Sequence, residues 1–229
     1  MHQRFRIDAL TFDIGGTLIA PHPSVGHVYA EVAARHGVTN LSPERLNRQF
    51  AAAWRARTDF NHTREDWAAL VDDTFAGLVR PPPSQSFFPV IYERFADAAA
   101  WKIYDDVLPT LDALASKGIP MAVVSNWDER LRPLLEELRL ESYFEAIVVS
   151  CEVAFPKPSP VIFQHATQKL GLPPGSILHI GDSWSEDYEG AKAAGLQALL
   201  LDRSRHFAGD EHLRSLRELD FRLSGVESP

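Results

Sequence analysis

Four short polar clusters follow apolar, strand-length segments in this 229-residue chain, and their residue types are those that handle an anion. The first is Asp13, which ends Ile7-Asp8-Ala9-Leu10-Thr11-Phe12 and precedes Ile14-Gly15-Gly16-Thr17-Leu18. A mostly apolar run of this length reads as a strand covered on both faces. The glycine pair frees the backbone to approach a ligand closely. The second cluster, Ser125-Asn126, offers small groups that can donate hydrogen bonds to an anion. The third, Phe155-Pro156-Lys157-Pro158, holds one cation between two prolines. The fourth, Gly181-Asp182-Ser183-Trp184-Ser185-Glu186-Asp187, adds three carboxylates. Each has a plainer reading when taken singly. Asp-x-Gly-Gly is an ordinary polar turn, Ser125-Asn126 a helix cap, Lys157 a surface charge, and Ser183 with Glu186 a capping box. In an open parallel sheet, however, ligands bind outside the carboxyl ends of the strands, and all four clusters fall there.

The elements that must position them follow from periodicity. Between residues 20 and 104 the spacing predicts four helices and no strand. Ser24 caps a helix carrying Val25, Val28, Tyr29 and Val32, with Gly37 as its stop. Ser42-Pro43-Glu44 starts a second helix bearing Leu46, Phe50 and Trp54, and Thr63-Arg64-Glu65-Asp66 opens a third with Trp67, Leu70, Val71 and Phe75. Pro81-Pro82-Pro83-Ser84 breaks the chain before a fourth helix over about 89–100. From Tyr104 onward, helices alternate with short apolar strands. Helices at 107–117, 131–138, 161–170 and 188–194 lead to strands at 121–124, 147–149, 177–180 and 198–201. This alternation predicts a parallel sheet with helices on both faces, to which the opening strand belongs. The expected fold is α/β and Rossmann-like, with a core of residues 1–19 and 105–229 and an inserted all-helical cap of 20–104. A weak helix is expected after Phe207.

Composition narrows the function. A net charge of −8, from 31 acidic residues against 23 Lys plus Arg, argues against nucleic acid as a partner. It leaves room for a phosphorylated substrate held by a few local cations and a metal. The single cysteine, Cys151, allows no internal disulfide, suits a reducing compartment, and reads as buried filler beside a strand. The polar start lacks a signal peptide, and no apolar run approaches the ~20 residues of a membrane span. A cytoplasmic location, with no membrane partner, is the expectation.

Taken together, the four clusters resemble the haloacid dehalogenase-like hydrolase superfamily, in its branch with a helical cap between the first two motifs. The motifs are Asp13 to Leu18, Ser125-Asn126, Lys157-Pro158 and Gly181 to Asp187, spread over nearly the whole chain. Ser24 to Val32 also looks like the opening cap helix of one subgroup. The resemblance implies a phosphatase in which Asp13 is the nucleophile and forms an aspartyl-phosphate. It further implies Mg²⁺ on Asp13, Asp182 and the backbone carbonyl of Gly15, with Asp187 completing the shell directly or through water. Ser125, Asn126 and Lys157, with the backbone at Gly16, would hold the phosphoryl oxygens, Lys157 also serving catalysis. The residue chemistry agrees: Mg²⁺ takes carboxylate, carbonyl and water oxygens, and a carboxylate attacks a phosphoryl group only when their repulsion is neutralised. A lid of helices implies a small phosphorylated substrate. Trp54, Trp67, Phe87, Phe88 and Trp101 then divide between cap core and substrate platform.

One departure matters. Phosphatases of the family typically carry a second aspartate two residues after the nucleophile as general acid and base, and here that residue is Gly15. Loss of such a group typically costs about 10²–10⁴ in rate. His22, His27 and Asp128 are the nearby candidates to replace it. A non-catalytic phosphate- and metal-binding protein is the alternative reading. Members that cleave carbon–phosphorus bonds use a cap lysine, but the first lysine here is Lys102. Dehalogenases work without metal and have no use for the Asp182/Asp187 pair.

Overall fold

The computed structural model describes residues 7–58, 60–203 and 211–219. Strand β1 (Ala9–Phe12) is buried at every position, and β2 (Ile19–Pro21) follows the glycine turn. Four helices come next. Ser24 caps α1 (Val25–Arg35), and Ser42 caps α2 (Pro43–Arg55), which has proline in its first turn. A reciprocal Thr63/Asp66 capping box opens α3 (Arg64–Thr74), and α4 (Phe88–Arg94) follows. After β3 (Trp101–Ile103) the chain alternates: α5 (Val107–Ser116), β4 (Met121–Ser125), α6 (Leu131–Glu137) and β5 (Ala146–Val149). A short α7 (Ser150–Val153) and α8 (Pro160–Leu170) precede β6 (Ile177–Gly181). The last elements are α9 (Gly190–Ala193), β7 (Gln197–Leu201) and β8 (His212–Leu213).

Six strands form one sheet in the order β5-β4-β1-β6-β7-β8, and every pairing in it is parallel. β1 lies at the centre, flanked by β4 and β6. α8 and α9 bury Ile162, Phe163, Ala166 and Ala191 against Ala9, Val124, Val148 and Ile177 of the sheet. This is the Rossmann-like α/β architecture that the alternation predicts.

The described residues cluster into two compact units. One holds residues up to Ile19, Ile103–Arg132 and those from Arg139 on; the other holds Ala20–Lys102 and Pro133–Leu138. The helical unit has its own apolar core, in which Tyr29, Val32, Leu46, Val71, Phe75, Phe87 and Ile91 are buried together.

Three expectations need correction. The fourth helix stops at Arg94, and the remainder of 89–100 holds a single 3₁₀ turn, Ala98–Ala100. The segment 20–104 is not free of strands, because β2 and β3 pair into a two-stranded ribbon. Three-residue strands are too short to show an alternating pattern, which is why periodicity missed them. Helical structure before β7 begins earlier than Tyr188, as a turn of π-helix at Trp184–Glu189. Where residues after Phe207 are described, 211–219 form β8 and a 3₁₀ turn at Leu216–Glu218 instead of a weak helix; the rest of that expectation lies outside the described residues.

Candidate active site

Neighbouring parallel strands end side by side, so the residues just beyond β1, β4 and β6 meet. Asp13 follows β1, and its N–H donates to Ile180 O of β6 at 2.9 Å. Ser125, the last residue of β4, donates from Oγ to Asp13 Oδ1 at 2.9 Å. Lys157 is only 3% exposed and reaches into the same place, its Nζ 2.7 Å from Asp13 Oδ1 and 2.5 Å from Asp187 Oδ1. Asn126 braces this lysine. Its Oδ1 accepts from Lys157 N–H at 2.6 Å, and its Nδ2 donates to Lys157 O at 3.0 Å and to Glu186 Oε2 at 3.1 Å.

Two glycines make room for the carboxylates. Gly16 has φ +78°, and a Cβ there would collide with the Asp182 carboxylate. A Cβ on Gly181 would collide with the carboxylate of Asp187. The turn after β1 closes through Gly16 N–H to Ile19 O at 2.8 Å and Leu18 N–H to Ile14 O at 2.8 Å. The π-helical turn at Trp184–Glu189 carries Asp187 back over the end of β6, where Asp187 Oδ2 accepts from Ser183 N–H at 2.9 Å. Such turns recur at functional sites because the extra residue re-aims a side chain.

The charges are strongly coupled. Burial alone would neutralise Lys157, but Asp13 and Asp187 outweigh it and hold its pKa above the ordinary lysine value. Burial raises the pKa of Asp13 against the opposing pull of Lys157. Asp187 is buried too, yet Lys157 and His179 hold it far below the usual carboxylate range. Asp182 is pushed up to about 7, first by desolvation of its carboxyl and then by Asp13 and Asp187, although the residue as a whole stays solvent-exposed. Burial also lifts Glu186.

Asp13, Asp182 and Asp187 each offer a carboxylate oxygen, and these atoms lie within 4.8 Å of one another. Three hard oxygen donors around one point, with a single lysine for compensation, suit a hard divalent cation such as Mg²⁺. The donor chemistry therefore fits the metal that the resemblance implies.

Other sequence candidates are placed differently. Asp128 is engaged by Arg130, whose Nε is 2.8 Å from Asp128 Oδ1, so it is not an open base. His27 lies in the helical unit, Nδ1 2.7 Å from Ser24 Oγ, and His22 belongs to the same unit. Phe87 and Phe88 are buried in that unit's core, Trp67 packs against it, and Trp101 Nε1 donates to Phe95 O at 3.1 Å. Trp54 is 41% exposed. Cys151 is exposed, correcting its reading as buried filler, because it sits in α7 beyond the strand. Partial burial and then Glu152 push its thiol up to about 11, which disfavours the reactive thiolate.

The sequence reading missed four residues. Thr11 and His179 are register partners in β1 and β6; Thr11 Oγ1 lies 2.9 Å from His179 Nδ1, and His179 Nε2 lies 3.1 Å from Asp187 Oδ1. Two polar residues inside apolar strands were the available signal. Thr17 Oγ1 reaches both Asp13 Oδ2 and Asp182 Oδ1 at 3.5 Å. Trp127 lies against Gly15, where a Cβ would be 3.1 Å from its Cζ3.

Comparison with known proteins places the fold and the family. The chain is 34% identical to haloacid dehalogenase-like hydrolase domain-containing protein 3 of Mus musculus, over 94% of this chain and 87% of that protein. It is 29% identical to a phosphoglycolate phosphatase of Chromobacterium violaceum, over 84% of each. The crystal structure of a HAD phosphatase from Thermococcus onnurineus superposes with a TM-score of 0.70 at 25% identity, covering 96% of this chain and 99% of that one. The family model for haloacid dehalogenase-like hydrolases matches residues 7–195, and the chain belongs to that family.

Proposed function

We propose that this chain is a Mg²⁺-dependent phosphatase that acts on a small phosphorylated metabolite through an aspartyl-phosphate on Asp13, with weakened acid–base chemistry. The observation that carries the reading is the buried ammonium of Lys157 held 2.7 Å from Asp13, beside the three-carboxylate cluster. The relative named as a phosphoglycolate phosphatase supports the reaction class. Residues 1–19 and 105–229 are assigned to the hydrolase core and 20–104 to a substrate-selecting cap, in a cytoplasmic enzyme.

In this reading Ser125 and Lys157 orient Asp13, and Asp13 attacks phosphorus as the bond to the leaving oxygen breaks. Lys157, Ser125, Asn126 and the backbone at Gly16 would meet the phosphoryl oxygens, and water would later release phosphate from Asp13. Mg²⁺ would be held by Asp13, Asp182, the Gly15 carbonyl and Asp187, directly or through water, and would offset the charge of carboxylate and phosphoryl group. Nothing at Gly15 can protonate the leaving oxygen or activate that water. The absence favours substrates with good leaving groups, and it also gives weight to a second reading, a phosphate- and metal-binding protein with little turnover.

A rapid-mix reaction with p-nitrophenyl phosphate and Mg²⁺ separates the two. The expected result is a burst near one product per chain followed by slow turnover, absent in Asp13→Asn. No product from a chain that binds Mg²⁺ would overturn the phosphatase reading in favour of the binding protein.

A further inference from the structure

The aromatic wall at Gly15 points to the kind of substrate, and this inference rests on the phosphatase reading above. Trp127 directly follows Asn126, the side chain that braces both the N–H and the C=O of Lys157. Its ring lies over the backbone of the nucleophile turn. A Cβ built on Gly15 would be 3.1 Å from Trp127 Cζ3 and 3.8 Å from Cη2. The indole therefore packs against Gly15, two residues after Asp13. The main chain of Trp127 is anchored, because its N–H donates to Ser150 Oγ at 3.0 Å while Ser150 Oγ and Cys151 N–H donate back to Trp127 O at 3.1 and 3.3 Å. Trp127 as a residue is half-buried.

In that reading, a phosphoryl group gripped by Lys157 carries its organic half past Gly15 and Trp127. Glycine contributes no side chain there, and the indole contributes an apolar π-surface. Such a surface favours a planar, unsaturated group over a saturated one of equal size, through offset-stacked or edge contacts. The leaving-group chemistry points the same way. An aryl or enol oxygen departs as a stabilised anion and does not need the proton that no residue at position 15 can give. We infer that Trp127 is a specificity-determining residue that selects phosphate esters of planar, unsaturated alcohols, aryl or enol, over those of saturated ones.

The test is calorimetric binding, with Mg²⁺, of phenylphosphonate, cyclohexylphosphonate and inorganic phosphate. The two phosphonates differ in planarity at similar size, and neither depends on turnover. Wild type is expected to prefer phenyl over cyclohexyl on the order of tenfold. Trp127→Leu should erase that preference while leaving inorganic phosphate within about twofold, and Trp127→Phe should keep most of it. Equal affinity for the two phosphonates in wild type overturns the inference. So does a loss in Trp127→Leu that weakens all three probes by the same factor, which would mark a structural role. Failure of inorganic phosphate and both phosphonates to bind would overturn the proposed function itself, a separate result.

Discussion

Lys157 and Asp182 illustrate how a single residue's chemistry depends on the ones it meets. Lys157 is held by Asp13 and Asp187, whereas Asp182 is raised first by desolvation and then by Asp13 and Asp187, which Lys157 only partly offsets. An unfolded carboxyl titrates near 3.9, so with a folded value of about 7 the metal-free native state retains a proton that the unfolded chain releases. Stability from this group is therefore lost as pH rises from about 4 through about 7. Denaturation midpoints of metal-free protein should fall more between about pH 5 and pH 8 in wild type than in Asp182→Asn. Identical slopes would show that Asp182 does not carry the strain. The carboxylates and lysine could be picked out of the sequence because they sit in short polar clusters that follow apolar strand patterns. Thr11 and His179 showed in the sequence only as polar residues inside apolar strands, and it takes the β1–β6 register to make neighbours of residues so far apart in the chain. Trp127 was passed over because adjacency to Asn126 says nothing about where an indole lies.

At the scale of elements, the turn after β1 is tied down by a residue beyond β7. Arg203 donates two hydrogen bonds to Asp106 at 2.9 and 3.0 Å and one to Thr17 O at 2.7 Å. Its guanidinium lies 3.9 Å from the centre of the Tyr104 ring. Asp106 also accepts from Ser215 Oγ at 2.7 Å and Leu216 N–H at 2.9 Å. One buried carboxylate at the start of α5 thus joins the turn after Asp13 to the last described segment. Burial opposes ionisation of Asp106, but the Arg203, Ser215 and Leu216 hydrogen bonds win and hold its pKa below the usual value. Its contribution is therefore present above the unfolded pKa near 3.9 and is lost as pH falls further. Arg203→Met should cost about 1–3 kcal/mol in urea unfolding near neutral pH. The cost should shrink in acid, and Arg203→Lys should not recover it, since an ammonium cannot make the forked contact. A cost that does not change with pH would remove Asp106 from the account. The alternating helices and strands of this region were legible because apolar runs of five residues carry a clear signal, whereas β2 and β3 carried none. The π-helical turn was read only as a later helix, because one inserted residue leaves the apolar spacing nearly intact.

At the scale of the whole molecule, the sequence pattern changes from helix-only to alternating, and among the described residues each region has an apolar core of its own. Tyr29, Phe75 and Phe87 lie in the helical one, with Tyr29 and Phe75 stacked at 5.6 Å and Phe75 and Phe87 edge-on at 5.5 Å. Ala9, Val124, Val148 and Phe163 lie in the other, and the two clusters share no residue. That separation was legible in outline, since composition and period both shift near residues 20 and 104. It did not reveal that Pro133–Leu138 clusters with the helical unit, because those residues are helical in either grouping. Separate cores open separately when one is weakened. Phe75→Ala removes a fully buried ring and should destabilise the helical unit by about 3–5 kcal/mol. Hydrogen exchange followed by peptide should then show faster exchange around Val32 and Val71. Protection of β1, β4 and β6 should stay within about twofold of wild type, because their local opening does not pass through the damaged core. Mg²⁺ affinity should persist as well, since Asp13, Asp182 and Asp187 all belong to the strand-bearing unit. Equal loss of protection in both cores would instead mean that they open as one cooperative body, and that the helical unit sustains the site.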